Sequence, residues 1–317
     1  MSQGSAAKMA RAVPEVAPES LELTKGVENS APAAAVNSTH AFFRVCWYCA
    51  NGLFVLSVLL ALYSAIWEYS TRRYLKGFSD AIIPESSSAQ EKVEAIMNWI
   101  SHGPARQETD PPPSGPDRNP TDTLNYASLL RVCGTATNAF VNLADSAGVP
   151  ARRLLLLDSR RMTKHVVAEV LVDGRWIVVD PAFRTIFTAA DGRLLTRQDL
   201  ADPTVFAAAT QGIRNYDPSY TFDQTAHVRI SRLWLVGRPL RRFLNRLLPG
   251  WDDSAALSLL LERESLAILL LSLLLLPILG LTRMLLRRHS ENCLGMQHVR
   301  FRQQVRRALR ALVDVSG

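Results

Sequence analysis

Two long stretches of the chain contain no charged residue. Residues 45–67 are uncharged over 23 positions and residues 265–282 over 18, and large apolar side chains dominate both. A helix of the first length spans about 34 Å, which is enough to cross the roughly 30 Å hydrocarbon core of a bilayer. We therefore predict transmembrane helices at 45–67 and 265–282, and a buried core helix is the alternative for each.

A shorter helical period follows the first stretch. Ser88 and Glu91 have the spacing of a capping box, in which each side chain satisfies a backbone N–H at the start of a helix. Apolar residues then recur at intervals of three and four, which is the period of one helix face. These residues are Val93, Ile96, Met97 and Ile100. The pattern predicts an amphipathic helix that begins just after Ser88.

A second helical pattern begins at Cys133. The positions on its apolar face are Cys133, Thr137, Phe140, Val141, Ala144 and Ala147. Gly148 and Pro150 follow, and glycine followed by proline commonly ends a helix. Cys133 therefore lies at the first turn of this helix, where backbone N–H groups are unpaired and the helix dipole favours negative charge. Such a position lowers the pKa of a cysteine thiol and so makes the thiolate available.

An alternating pattern follows from His165 to Phe183. Two β-rich runs flank Asp173-Gly174, which is a strong signal for a two-residue hairpin turn. If those two residues form the loop, Val172 pairs with Arg175, and His165 and Asp180 become diagonal neighbours on one face. Side chains at that spacing can touch, so we expect an imidazole–carboxylate pair. The opposite face carries Val166, Ala168, Val170, Val172, Ile177 and Val179, and we expect it to face the core.

These patterns divide the chain into six segments. They are a disordered N-terminal segment 1–40, a transmembrane helix 45–67, a globular domain 68–230, an amphipathic juxtamembrane segment 231–262, a transmembrane helix 265–282 and a basic tail 283–317. A proline-rich stretch, 103–120, reads as a surface loop within the domain. Two spans place both termini on the same side of a membrane.

The excess of positive charge changes the interpretation little. The formal net charge is +7, but much of the excess lies beside the predicted spans, where arginines usually meet lipid headgroups. We therefore expect a lipid bilayer and no nucleic acid among the partners. The arginines after the second span favour cytoplasmic termini by the positive-inside rule, although those around the first span favour the reverse. We expect the termini in the cytoplasm and residues 68–264 outside, which in a bacterium is the periplasm.

The cysteines favour a chemical role for Cys133. The chain has four, and the other three lie in the first predicted span and in the tail: Cys46, Cys49 and Cys293. Cys133 therefore has no disulfide partner within its own domain. Cysteines so far apart do not suggest a zinc site, and we expect neither a metal nor a cofactor. The alternative reading is a structural thiol at the start of a helix.

The combination of motifs resembles the transglutaminase-like superfamily of papain-type fold. A cysteine opens the helix in "VCGTATNAFVNLADSAGVPAR", and a histidine opens the hairpin "HVVAEVLVDGRWIVVDP", which ends in Asp-Pro. The resemblance is strong over about 50 residues. It implies an α+β fold in which the nucleophile helix packs on an antiparallel sheet, here between two transmembrane helices as in a bacterial membrane-anchored member.

The resemblance also implies roles for three residues. Cys133 would be the nucleophile, His165 the general base and then acid, and Asp180 the group that orients the histidine. Such proteins attack a carboxamide or peptide carbonyl to form a thioester, which water or an amine resolves. The backbone N–H of Cys133 would be one oxyanion donor.

Two classes of function follow from these observations. The first is a membrane-anchored cysteine peptidase or amidase, with hydrolysis favoured over cross-linking because bulk water competes with any amine. The second is a catalytically inactive module that binds peptides or helps to assemble an envelope complex. A peptide or protein would be the substrate or partner in either case, including a component of the envelope or of a polysaccharide pathway.

Overall fold

The structure is a computed structural model that describes residues 33–85, 87–103, 119–125, 129, 132–228 and 237–293. The helices are α1 Ala33–Ile82, α2 Ala89–Ser101, α3 Pro120–Thr123, α4 Cys133–Ser146, α5 Arg197–Leu200, α6 Pro203–Thr210, α7 Gly237–Leu247, α8 Ala255–Glu262 and α9 Glu264–Cys293. A 3₁₀ turn, Trp251–Asp253, precedes α8. Most of the predicted disordered N-terminal segment, of the proline-rich loop and of the basic tail lies outside the described residues.

Five strands form one antiparallel sheet in the order β4-β3-β2-β1-β5. Their bounds are β1 Ala151–Leu157, β2 Thr163–Val172, β3 Arg175–Asp180, β4 Thr185–Ile186 and β5 Thr225–Ala226. The combination of helices with an antiparallel sheet confirms the predicted α+β class.

The hairpin between β2 and β3 has the predicted register. Val172 lies opposite Arg175, and the pairing continues to Ala168 opposite Val179. Asp173 and Gly174 both have positive φ, 48° and 75°, as a type I′ turn requires. Because this turn fixes the pairing, it also fixes which side chains of the two strands share a face.

The alternating pattern predicted that one face of the hairpin packs on the core, and in the structure both faces of the sheet are buried. The face that carries Ala168, Val170 and Val179 packs against α2 and α4, as expected. The other face packs against α5, α6 and the chain that leads to β5. Its core residues include Leu154, Leu156, Val167, Val178, Phe187, Leu195, Phe206 and Phe222. The segment 187–222, which the hairpin pattern does not contain, therefore supplies a second layer over the face that carries His165.

Both predicted helix starts are present, and so is the predicted end of the second helix. Ser88 caps α2 in a complete capping box with Glu91, and the four apolar residues predicted on its inner face are all buried. α4 begins at Cys133 and is followed by Gly148 at φ +75°, where the left-handed backbone ends the helix. These local signals therefore set the ends of the two helices nearest to the candidate site.

α1 and α9 are long and apolar enough to cross a membrane. In α1 the apolar helix covers Ala41–Ile82 and in α9 Glu264–Cys293, and both extend beyond the predicted spans. Only 17% and 11% of the most apolar window of each is buried, so neither is a core helix of the domain. The last turns of α1 differ from its apolar part, because Leu75 is buried in the same core cluster as α2 and α4.

The predicted juxtamembrane segment has two different parts. α7 presents exposed apolar residues, with Phe243 and Leu247 each 59% exposed. The chain from Trp251 onward instead packs on the domain, because α8 contacts β1 and α4. Glu262, the last residue of α8, and Arg263, which follows it, are 1% and 2% exposed.

Candidate active site

Cys133 is the first residue of α4, the most deeply buried helix of the domain. Every residue from Gly134 to Ala144 is buried, while Cys133 itself is half-buried. Small side chains in the first two turns allow this close packing, and the Thr137 hydroxyl donates a hydrogen bond to the Val166 carbonyl of β2 at 3.1 Å. The thiol packs against Leu155, Leu157 and Val166 at this end of the sheet. The nucleophile candidate is thus fixed by its helix and by two strands.

His165 lies in β2 at an irregularity of the sheet. Leu156 pairs with His165 but the next residue, Leu157, pairs with Thr163, so Lys164 is an extra residue in β2. Such a bulge bends a strand and redirects the side chains beside it. His165 is 1% exposed, and it is therefore a buried imidazole rather than a surface histidine.

Asp180 ends β3 and holds His165 directly. Its Oδ2 lies 2.7 Å from His165 Nε2, and both side chains are almost fully buried. Its Oδ1 accepts the backbone N–H groups of Ala182 and Phe183 at 3.1 and 3.2 Å. The carboxylate is therefore satisfied on both oxygens, and the predicted diagonal pair is a direct contact.

Cys133 interacts with the same imidazole as Asp180. Burial alone lowers the pKa of His165, but the charge of Asp180 and its hydrogen bond, together with a hydrogen bond and charge interaction with Cys133, raise it to about 9. Because Asp180 occupies Nε2, Nδ1 is the ring nitrogen left for the thiol. The structure thus brings together all three residues that the sequence singled out.

Aromatic rings enclose the histidine. The Tyr220 ring stacks on the imidazole with centroids 4.4 Å apart and planes within 8°, and Phe183 meets it edge-on at 5.5 Å. Tyr216 lies against Phe183 at 4.6 Å. These rings exclude water from the His165–Asp180 contact, which strengthens it.

The Tyr216 hydroxyl completes this enclosure. It is buried, and burial, the nearby charge of Asp180 and a hydrogen bond with Asp180 raise its pKa. Sequence reasoning missed Tyr216 and Tyr220, because they belong to the segment that covers the sheet and no local period links them to the hairpin.

A second buried charge cluster lies on the same face of the sheet. Glu169, four residues after His165, is 2.8 Å from Arg152 Nε and 2.7 Å from His227 Nε2. The other nitrogen of His227 lies 2.7 Å from Asp253. Although burial disfavours its charge, the hydrogen bond from His227 and the charge of Arg152 lower the pKa of Glu169. This cluster ties β1, β2 and the chain after β5 to the 3₁₀ turn before α8.

No group of three His, Cys, Asp or Glu side chains among the described residues is arranged to hold a metal ion.

Comparison with protein families supports the likeness seen in these residues. Residues 76–181, a third of the chain, match the family model described as the transglutaminase-like superfamily. The chain contains a transglutaminase-like domain. The match begins near the end of α1, ends just after Asp180, and includes Cys133 and His165. Neither the curated proteins nor the solved structures yielded a match to the chain.

The matched segment is shorter than the folded domain. Tyr216, Tyr220, His227 and the whole of α8 follow residue 181, yet they pack on the sheet and on α4. The domain thus carries additional elements that its family match does not describe.

Proposed function

We propose that the protein is a membrane-anchored, transglutaminase-like cysteine hydrolase that cleaves a peptide or carboxamide bond. The observation that carries this proposal is the buried His165, which Asp180 holds at 2.7 Å and which interacts with Cys133 at the start of α4. Thiol, imidazole and carboxylate are the groups that nucleophilic acyl transfer needs.

The first half of the reaction forms a thioester. At neutral pH a His165 with a pKa near 9 is protonated, and a cationic imidazole favours the thiolate of Cys133. The thiolate attacks the carbonyl carbon, and the oxyanion is met by the backbone N–H of Cys133 at the helix N-terminus. His165 then gives its proton to the departing amine or ammonia, the C–N bond breaks, and an acyl-thioester remains on Cys133.

The second half restores the enzyme. His165, now neutral, takes a proton from water, and the resulting hydroxide attacks the thioester carbonyl. The carboxylic acid leaves, and the thiolate–imidazolium pair forms again. Asp180 stays ionised throughout and keeps the imidazole in one orientation.

The acceptor in the second step decides between hydrolysis and cross-linking. Water is present at high concentration, whereas an amine must be held at the site to compete with it. We therefore favour hydrolysis and expect transamidation only with an amine partner bound beside Cys133. A peptide or protein, including a component of the cell envelope or of a polysaccharide pathway, is the substrate class that suits this chemistry.

The proposed location follows from α1 and α9. Both helices have the length and composition to cross a membrane, and we propose a two-pass protein of a bacterial inner membrane. We propose cytoplasmic termini and a periplasmic domain. The exposed Phe243 and Leu247 of α7 suit the headgroup region beside the second span.

Thiol reactivity tests the proposal. The full-length chain with Cys46, Cys49 and Cys293 replaced by serine has Cys133 as its only thiol. We expect iodoacetamide to alkylate Cys133 well below the ordinary cysteine pKa of about 8.5, because His165 supports the thiolate. His165→Ala should move the midpoint of the pH profile back toward that value.

The alternative function makes the opposite prediction. A profile with an ordinary midpoint that does not respond to His165→Ala would identify Cys133 as a structural thiol. The domain would then be a catalytically inactive peptide-binding or assembly module. Cys133→Ser provides the blank for the labelling.

A further inference from the structure

Arg153 touches the turn that carries the nucleophile candidate. This arginine lies in β1, and its Nη2 donates to the Gly134 carbonyl at 3.2 Å. Gly134 directly follows Cys133, so the contact is made at the first turn of α4. The Arg153 side chain is 11% exposed, and a guanidinium at that depth needs a partner.

The partner of Arg153 is Glu262, the last residue of α8. Arg153 Nη2 lies 2.8 Å from Glu262 Oε2, and the glutamate side chain is 1% exposed. Asn138, one turn further along α4, donates from Nδ2 to the backbone carbonyl and to Oε2 of Glu262, at 2.6 and 3.1 Å. Glu262 thus holds both Arg153 and the second turn of α4.

Stability alone does not account for this ion pair. Arg153 Nε and Glu262 Oε1 are buried without hydrogen-bond partners among the described residues, so the pair is incompletely satisfied. Replacing a buried ion pair by apolar residues is often neutral or stabilising. A pair that leaves two polar atoms unmet therefore points to a role in arranging the turn that it touches.

We propose that Arg153 is a positioning residue for Cys133, held by Glu262 against the first turn of α4. This inference rests on the proposed function, in which Cys133 is the nucleophile. The Gly134 carbonyl belongs to the first turn of α4, where the backbone N–H of Cys133 would meet the developing oxyanion. Fixing that carbonyl fixes the direction of this N–H group and of the Cys133 side chain, and the guanidinium adds positive charge to the turn that carries the thiol.

The arrangement also joins the site to the candidate membrane helix. Glu262 is two residues before α9 begins, and Arg263 between them donates to Asn142 and Asp145 of α4 at 3.0 and 3.1 Å. The outer face of the nucleophile helix is thus attached at three places to the chain that enters α9.

The test uses the full-length, detergent-solubilised chain with Cys133 as its only thiol. The pH profile of iodoacetamide alkylation is compared for Arg153→Gln, Glu262→Gln and the double variant. Two exposed residues provide matched controls, Arg175→Gln in the same sheet and Glu264→Gln two residues after Glu262. Thermal unfolding of each variant reports stability separately from the profile.

We expect Arg153→Gln to move the alkylation midpoint upward by about half a pH unit, which means about threefold slower alkylation below the midpoint. The two controls should keep the wild-type midpoint. Glu262→Gln should shift the midpoint in the same direction, and the double variant should match Arg153→Gln, because Glu262 acts through Arg153. A midpoint unchanged in Arg153→Gln, even with a lower melting temperature, overturns the positioning role.

Arg153→Lys decides the question if Arg153→Gln does not fold. A single ammonium keeps the charge but cannot meet Gly134 and Glu262 in the same geometry, so a smaller upward shift is expected. An unchanged midpoint overturns the proposal. His165→Ala separates the two hypotheses: a profile that responds to His165 but not to Arg153 removes only the positioning role. A profile that responds to neither removes the proposed function as well.

Discussion

At the scale of single residues, Asp180 is the main support of the protonated state of the His165 imidazole. Burial would lower the pKa of His165, but the charge and hydrogen bond of Asp180, together with the interactions of Cys133, outweigh it. The contact with Asp180 was predictable because a two-residue turn fixes the register of the hairpin and leaves one diagonal partner. The contact with Cys133 was not, since 32 positions and a strand separate the two residues and only tertiary packing joins them. Arg153 and Glu262 are further apart still, and no local pattern signals their pairing.

Asp180→Asn tests the role of this charge. Without the carboxylate the imidazolium loses its main support, so we expect the alkylation midpoint of Cys133 to rise and turnover of any substrate to fall at least about tenfold. Asp173→Asn, an exposed change in the hairpin turn, is the matched control. Equal profiles for the two variants would show that Asp180 does not tune the site.

The His165–Asp180 pair also predicts how stability depends on pH. Because the pKa of His165 rises on folding from about 6.5 to about 9, the folded state holds its proton more tightly than the unfolded state. The stabilisation is complete below pH 6.5, and a few kcal/mol are lost as pH rises toward 9. Thermal unfolding across this range should show the decline in the wild type and a weaker one in Asp180→Asn. A flat profile in the wild type would contradict the raised pKa.

At the scale of elements, α8 behaves as part of the domain rather than as a linker. Its Ser258 accepts the backbone N–H of Arg153 at 2.8 Å, and its last residue pairs with the side chain of the same arginine. The sequence pattern of 231–262 shows arginines and leucines that suit a membrane surface, and α7 has that character. The pattern does not show α8 packing on the sheet, because its partners lie about 100 positions earlier.

Truncation tests the role of α8. A soluble fragment of residues 68–250 loses Asp253, Ser258 and Glu262, which leaves Arg153 and other buried polar groups unpaired. An uncompensated buried charge costs about 3–5 kcal/mol, so we expect no cooperative unfolding from this fragment. The fragment 68–263 should unfold cooperatively and resist proteolysis. Equal behaviour of the two fragments would show that α8 is dispensable for folding.

At the scale of the whole molecule, two long apolar helices flank one domain. Their apolar composition was visible in the sequence, but their full lengths were not, because α1 continues through charged residues into the core of the domain. Membrane orientation depends on the positive charge beside each span. The arginines around the first span and those after the second span favour opposite orientations.

Labelling tests the proposed orientation. A cysteine at Asp173, in the exposed hairpin turn, should react with a membrane-impermeant maleimide on intact cells when the native cysteines are replaced by serine. A cysteine at Gly317 should react only after lysis, since we place the C-terminus in the cytoplasm. The reverse result would put the domain on the cytoplasmic side.

One contact at the base of the domain limits how far the candidate site can move relative to the two candidate spans. Glu68, on the α1 side, accepts hydrogen bonds from Arg263 at 3.0 Å and from Ser265 at 2.7 Å, on the α9 side. These hydrogen bonds join the two candidate spans directly where they meet the domain, so the domain is not connected to them by two flexible segments. If α1 and α9 span a membrane as proposed, a site mounted in this way would not search the surrounding compartment for its target. Its targets would have to diffuse to it or be carried to it along the bilayer.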